Sequence, residues 1–445
     1  MKYKKLSFLL VSTALLATSE VTTLSEVFSE AQVHGNVKYY YIQTDKDFAT
    51  QTDTSAHANS VGGQLSLKTA SLYGVSAGVT FMTTNPFLLP TNVDTSIIGK
   101  DNGVRGGDAT NGFSVLGEAY LNYKYAGFDL LLGREVIKTP FANAKEVRML
   151  PSSFEGAFLS YKLNTQSKFC FAYLSRFKQR TSDVFTDMVE HALGSDTQAV
   201  TGYSSGSVSM LDYHYTRERT SLKVYDYYAD DFLNSLYIDM SHTMSLAKTK
   251  LNVSAQYIHQ NSIGNADTNL AQVGSVTGGK QISVNAYGLK ASTNIEDASF
   301  LLAFTKVLKD DAKHDSLVLP WDGTPLFTDM ITSNNLFQSN YGKSLQADGN
   351  YIGGSQGIKL AYHQKFDSFG LKGVSTNFAY LHTSNGKFLK NQHDYNVVLA
   401  YKHDKSFSLA LKGIWVQNNT SADKTGTISQ LKLLSQYRVI ANYKF

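Results

Sequence analysis

The chain has 445 residues, room for several ordinary domains, and its 27 Tyr, 25 Phe and 33 Gly against 6 Pro favour strands and turns over helices. Charged residues are 18%, below the quarter or so usual in soluble domains, and the formal charge of +4 falls to +1 once Lys2, Lys4 and Lys5 of the leader are set aside, which leaves no ground for nucleic-acid binding. The single cysteine, Cys170, excludes an intramolecular disulfide and a thiolate metal cluster, and in SKFCFAYLSR it reads as a small apolar side chain.

At the amino end, Lys2, Lys4 and Lys5 precede a largely apolar run from Leu6 to Ala17, followed by the small residues Ala17-Thr18-Ser19. That is the pattern of a Sec signal peptide cleaved near Ser19. A membrane helix needs about 20 apolar residues, so residues 1–19 are expected to be removed rather than to anchor the chain. Residues 20–32 then read as a short periplasmic segment: Thr23 and Glu26 fit a capping box, and Val21, Leu24, Val27 and Phe28 share one helical face.

From Val33 onward the period changes to two. Ala119, Leu121, Tyr123 and Tyr125 alternate with Glu118, Tyr120, Asn122 and Lys124, and Ile358, Leu360 and Tyr362 alternate with Lys359, Ala361 and His363. Segments of roughly ten residues with one apolar and one polar face are expected where lipid lies on one side and an aqueous lumen on the other. Eighteen such segments are predicted, from 33–43 and 60–72 at the start to 405–416 and 434–445 at the end.

The connections alternate as well. Short ones such as Ala126-Gly127, Asn164-Thr165-Gln166 and His403-Asp404 separate long ones at 84–114, 135–153, 177–207, 259–280, 308–354 and 417–433. Periplasmic turns and external loops produce this rhythm, whereas a soluble β-sandwich has no reason to keep it. The fold predicted is therefore all-β, a single transmembrane antiparallel β-barrel over 33–445 with 18 strands and both ends in the periplasm. No internal repeat and no linker divides it.

Seven of the eight arginines (Arg105, Arg134, Arg148, Arg176, Arg180, Arg217 and Arg219) lie between 105 and 219. In a barrel they gather on one wall beside the third external loop, where a file of rigid guanidinium forks suits carboxylates. An external belt of arginines that meets lipopolysaccharide or water is the competing reading. Enzyme motifs are weak: GSVTGGKQ (274–281) has Gln281 where a P-loop needs Ser or Thr, and no H-E-x-x-H or G-x-S-x-G occurs. No catalytic residue, metal or cofactor is expected. A structural or adhesin barrel with a plugged lumen, and less so an outer-membrane hydrolase, stand as alternatives.

The chain ends in LSQYRVIANYKF, with Tyr437, Val439, Ala441, Tyr443 and Phe445 on one phase. A final Phe with Tyr two places before it resembles the insertion signal read by the barrel-assembly machinery of Gram-negative bacteria. Three further stretches, LLLGREVIKTPFANAKEVRMLPSSFEGAFLSYKL (131–163), SRFKQRTSDVFTDM (175–188) and LPWDGTPLFTDMITSNN (319–335), resemble the OprD-type outer-membrane porins over nearly the whole mature chain. That resemblance implies an 18-stranded barrel in the outer membrane, passing small solutes such as amino acids, peptides and carboxylates. It also implies an eyelet narrowed by the third and seventh external loops, with an arginine ladder. Arg134 and Arg148 lie within the matched motifs, and Arg176 and Arg180 follow. Glu135, Glu146, Asp322 and Asp329 are expected to face them across the constriction, where opposed charges create a transverse field. Monomer and trimer are both left open, and the partners expected are small solutes, outer-membrane lipid and lipopolysaccharide.

Overall fold

The computed structural model describes residues 20–48, 53–87, 112–145, 147–193, 206–246, 249–268, 280–331, 349–384, 391–419 and 431–445. The leader, Arg105, Glu146 and most of GSVTGGKQ lie outside the described residues. The strands are β1 (Gln32–Phe48), β2 (Thr54–Lys68), β3 (Val75–Pro86), β4 (Phe113–Tyr125), β5 (Phe128–Glu135), β6 (Ser153–Lys162), β7 (Ser167–Lys178), β8 (Val208–Arg217) and β9 (Thr220–Ala229). They continue as β10 (Leu233–Leu246), β11 (Thr249–Ser262), β12 (Ser283–Ile295), β13 (Ala298–Val307), β14 (Gln356–Lys365), β15 (Val374–Ser384), β16 (Asn391–Lys402), β17 (Phe407–Asn419) and β18 (Leu431–Lys444). Each pairs antiparallel with its neighbours in sequence, and β1 pairs with β18, so the sheet closes on itself. Every expected strand is present. The largest shift is at β2, which begins at Thr54 rather than 60 and so lengthens the first hairpin at its far end.

Side chains follow the two-residue period, inside out relative to a soluble protein. Leu121 is 60% exposed while its neighbour Asn122 is 4% exposed. Ile358 and Leu360 are likewise exposed on either side of the inward Lys359. Large apolar groups pointing outward all round the ring cost free energy in water and gain it in lipid. Near the short turns of β4–β8 the outward aromatics pair, with Phe128 and Tyr161 stacked at 4.3 Å and Phe169 against Tyr213 at 4.7 Å. Such a girdle marks one membrane interface. The turn Ala126-Gly127 holds φ of 45° and 90°, the left-handed pair that a two-residue hairpin turn requires.

At the closing seam, Gly35 N–H donates to Phe445 O and Phe445 N–H to Gly35 O, both at 3.0 Å. The Phe445 ring fills the space where a Cβ at position 35 would sit, which is why glycine stands there. Before β1, helix α1 (Leu24–Ser29) carries the expected capping box of Thr23 and Glu26. Only Val21 and Val27 of its expected apolar face pack, against Ala70 of the first short turn, while Leu24 and Phe28 stay exposed. The topology makes a direct prediction: a peptide tag placed in the long connection 308–354 is reached by antibody on intact cells, and one at His403-Asp404 is reached only after the outer membrane is breached. The opposite pattern would invert the barrel.

Candidate functional site

With one external connection counted after each odd strand, described parts of three turn into the barrel: 136–145 and 147–152 of the third, 179–193 and 206–207 of the fourth, and 308–331 and 349–355 of the seventh. The fourth was not expected to do so. It carries helix α2 (Met188–Leu193), whose Met188, Val189, Ala192 and Leu193 are fully buried in one cluster with inward residues of β7 to β13 and with Leu317, Val318, Leu319 and Trp321. A loop inside a barrel must satisfy its own backbone, and amides on the wall do this here. Gln256 bonds Pro325 O and Phe327 N at 2.8 and 2.7 Å, Gln260 bonds Val318 O and N at 2.9 Å each, and Asn396 Oδ1 accepts from Ile331 N at 2.9 Å.

The third and seventh loops are then stitched together. Asn143 N donates to Trp321 O at 3.0 Å and Thr324 N to Pro140 O at 3.1 Å. A Cβ on Gly323 would come within 2.9 Å of Pro140 O and the Phe141 backbone, so this close approach needs glycine. Trp321 is 1% exposed, and its indole N–H donates to Met188 O at 2.9 Å, pinning the seventh loop to α2.

At the junction of all three loops, Arg180 is paired with Asp322, whose other oxygen accepts from Ser152 Oγ at 2.6 Å; Ser152 Oγ in turn accepts from Arg180 N at 2.9 Å. The side chains are 12% and 3% exposed. Burial alone would raise the Asp322 carboxyl, but Arg180, Lys145 and Ser152 outweigh it and hold the pKa below the ordinary carboxylate range. Arg180 and Asp322 are thus brought together, as a lock among loops. Lys145 beside them is lowered to about 8, by burial first and then by Arg180 and Arg148, against the pull of Asp322 and Asp329.

Beside the third loop lies a recess of about 640 Å³. Arg148 and Lys138 reach it from the third loop, Lys38 from β1, Lys412 from β17 and Lys444 from β18, and Glu118 of β4 is the acid in the same lining. Arg438 of β18 sits opposite Lys412 in the ladder and is buried, donating to Gln436 Oε1 and, at 3.3 Å, to Tyr40 Oη. Lys290 and Lys359 flank Ala303 in the ladder on β12 and β14, and Lys359 Nζ donates to Asp329 O of the seventh loop at 2.5 Å. On the other wall a smaller recess of about 240 Å³ is lined by Asp129, Glu135 and Asp212 together with Lys68 and Lys168. Lumen charge is therefore lopsided across the pore.

The arginine file divides. Arg148 lines the larger recess. Arg134 donates to Glu155 at 2.7 Å, and Arg176 lies 3.9 Å from the same carboxylate. The register sets these three side by side, alternate to the buried Phe154 and Phe177 and in phase with the exposed Leu132, so they are not brought to the recess with Arg148. Lys38, Lys412 and Arg438 were missed by the reading of arginine spacing. The available signal was phase: each sits at the polar position between Val37 and Tyr39, Leu411 and Gly413, and Tyr437 and Val439.

Asp329 of the seventh loop gives a pH handle. Its carboxylate accepts from Tyr351 Oη at 2.6 Å and Leu326 N at 3.0 Å, yet burial pushes its pKa up to about 7 against those bonds and against Lys359 and Lys145. A carboxyl raised in the fold favours the protonated form, so the seating of this loop weakens as pH rises from the ordinary value near 4 through about 7 and is level above that. Protease nicking of the seventh loop is expected to increase across that window in the native barrel and to lose its pH slope in Asp329→Asn. An unchanged slope in the variant would assign the effect to another group.

A family profile described as outer membrane porin, OprD family, matches residues 26–445. No curated protein sequence matches the chain. Among solved structures, OccK9 (OpdG) of Pseudomonas aeruginosa is similar at 16% identity with a TM-score of 0.73, and a BenF-like porin of Pseudomonas fluorescens Pf-5 at 13% with 0.74; each comparison covers 94% of this chain and 99% of the other. OpdK of Pseudomonas aeruginosa, solved with vanillate, is similar at 15% with a TM-score of 0.69 over the same shares.

Proposed function

This chain belongs to the OprD family of outer membrane porins, and from that membership we propose a diffusion channel whose constriction favours small hydrophilic solutes bearing a carboxylate. The observation that carries this reading is the gathering of Lys38, Arg148 and Lys412 around one recess whose lining holds a single acid, Glu118, with Arg438 paired to Lys412 in the ladder. In a narrow lumen with low-dielectric walls such charges are weakly screened, and they orient a dipolar solute with its carboxylate toward the basic side. Vanillate, found with one structural neighbour, carries such a group. Arg148 is the carboxylate contact contributed by the third loop. Arg134 and Arg176, bound through Glu155 on the face alternate to Phe154 and Phe177, are left out of the solute path in this reading, and the Arg180–Asp322 pair holds the constriction's shape.

The family and fold are those of a channel rather than an enzyme. The Tyr443–Phe445 end serves as the signal for barrel assembly. The deciding experiment is a planar-bilayer recording under a salt gradient with matched solutes. Anions are expected to permeate ahead of cations, and benzoate to block the current several-fold more strongly than benzamide. A channel with neither property has no carboxylate preference.

A further inference from the structure

Arg134 and Arg176 stand apart from the solute path, yet the ladder brings them together. Arg134 is opposite Glu155 and Glu155 is opposite Arg176, a row in phase with the outward Leu132. One carboxylate serves both guanidinium groups. Arg134 Nε donates to Glu155 Oε2 at 2.7 Å, whereas Arg176 Nη1 lies 3.9 Å from Oε1, beyond hydrogen-bond length. Asp187, opposite Arg176 on its other side, has its oxygens occupied by the N–H groups of Val189, Glu190 and Gly206. A guanidinium carries five N–H donors. Among the described residues none of those of Arg176 makes a hydrogen bond, and its side chain is 56% exposed. Arg134 is steadied by the Phe185 ring, 4.2 Å from its Cζ, and by Leu116 O at 3.5 Å.

The height of this row on the barrel decides what can meet it. Ser167 begins β7 beside a short turn, and Arg176 is near the other end of the strand. At about 3.3 Å per residue and a tilt of about 40°, Arg176 stands roughly 23 Å above Ser167, at the top of an apolar band about 25 Å tall. Acyl chains offer such a group no acceptor, and a charge on the lipid face is tolerated only toward the interface. The headgroups of the outer leaflet lie at that height.

We propose that Arg134 and Arg176, with Glu155 between them, form a site on the outer face of the barrel for a phosphate group of the outer-leaflet glycolipid, lipopolysaccharide. The proposal is independent of which solute the pore prefers. Two guanidinium groups with one shared carboxylate leave positive charge unanswered, and the planar fork of arginine matches phosphate oxygens two at a time. Glu155 holds Arg134 in place, while Arg176 is the side chain with donors to give.

The test titrates the purified barrel, in a neutral detergent, with lipopolysaccharide, with the same lipopolysaccharide stripped of its phosphates, and with inorganic phosphate. Binding is read as the rise in the temperature at which gel mobility shifts from folded to unfolded. The phosphorylated lipid is expected to bind about tenfold more tightly than the stripped one. Arg176→Gln is expected to weaken binding of the phosphorylated lipid several-fold and to leave the lipid-free transition where it was, since no hydrogen bond is lost; Glu155→Gln is expected to tighten it, because the site becomes more positive. Equal binding of the two lipids, native affinity in Arg176→Gln, or weaker binding in Glu155→Gln overturns the site. Displacement of the lipid by millimolar inorganic phosphate shows a general anion site and rejects the lipid as its occupant. If Arg176→Gln does not assemble, Arg176→Lys replaces it: the charge stays, the fork is lost, and native affinity in that variant rejects the paired-oxygen contact.

Discussion

Asp322→Ala is expected to give a barrel that still assembles but conducts several-fold more current, with large open-channel noise. In the native protein the Asp322 carboxylate joins the fourth loop through Arg180 and the third through Ser152, at a point almost closed to solvent. Removing one member of a buried ion pair leaves the other charge uncompensated, at a cost of about 3–5 kcal/mol. The eighteen-stranded ladder does not depend on this contact, so the loss falls on the loops. Arg180 then seeks water, and the easiest way to supply it is for the third and seventh loops to part. Adding Arg180→Ala to Asp322→Ala is expected to change little further, because the two residues act through each other. Single-channel conductance and heat-modifiable gel mobility separate a loosened constriction from a failed barrel. Native conductance and noise in Asp322→Ala would show that the loops are held elsewhere.

Lys412→Glu is expected to move the channel's preference from anions toward cations. Lys412 points into the lumen beside Arg438, on a wall that β17 and β18 hold rigid. One unit charge about 8 Å from a passing ion is worth roughly 2 kcal/mol at an effective dielectric near 20, and substitution by Glu reverses that sign. Salt screens part of it, with a Debye length of about 8 Å at physiological ionic strength. A shift of several-fold to tenfold in the anion-to-cation permeability ratio is therefore expected, with Lys412→Gln showing about half the change in free energy. Arg148→Glu shifts the ratio in the same direction, and Arg134→Glu, whose charge is already shared with Glu155, shifts it less. Unaltered reversal potentials in Lys412→Glu would mean that solutes pass by another route.

The barrel was legible because its cause is local and repeated. Each strand has to show one face to lipid and one to the lumen, so alternation is written into every segment, as in Leu121 against Asn122. The capping box at Thr23 and Glu26 was legible for the same reason, since its partners lie three residues apart. The constriction was not, because it depends on chain segments far apart in sequence. Arg180 meets Asp322 across 142 positions and Lys38 meets Met149 across 111. Clustering of arginines in the chain pointed to one wall, but alternation and one bulge between Glu155 and Gly156 sent Arg134 and Arg176 to a different face from Arg148. The inward fourth loop was missed because MVEHAL is too short to display a helical period.

The seam at Gly35 and Phe445 bears on how the molecule is made. The hydrogen bond from Asn36 to Asn442 spans 406 positions, so the ring closes only when β18 reaches β1. The chain entropy of that closure is modest: each doubling of loop length adds about 0.6 kcal/mol, or roughly 3 kcal/mol beyond a dozen-residue loop. Time is the greater cost. Contacts this distant in sequence form slowly, and until they form the edges of β1 and β18 offer unpaired N–H and C=O groups to any passing strand. A substitution that unseats the Phe445 ring, such as Gly35→Val, lengthens that exposed interval, and its first symptom is a lower yield of inserted protein rather than a weaker finished barrel.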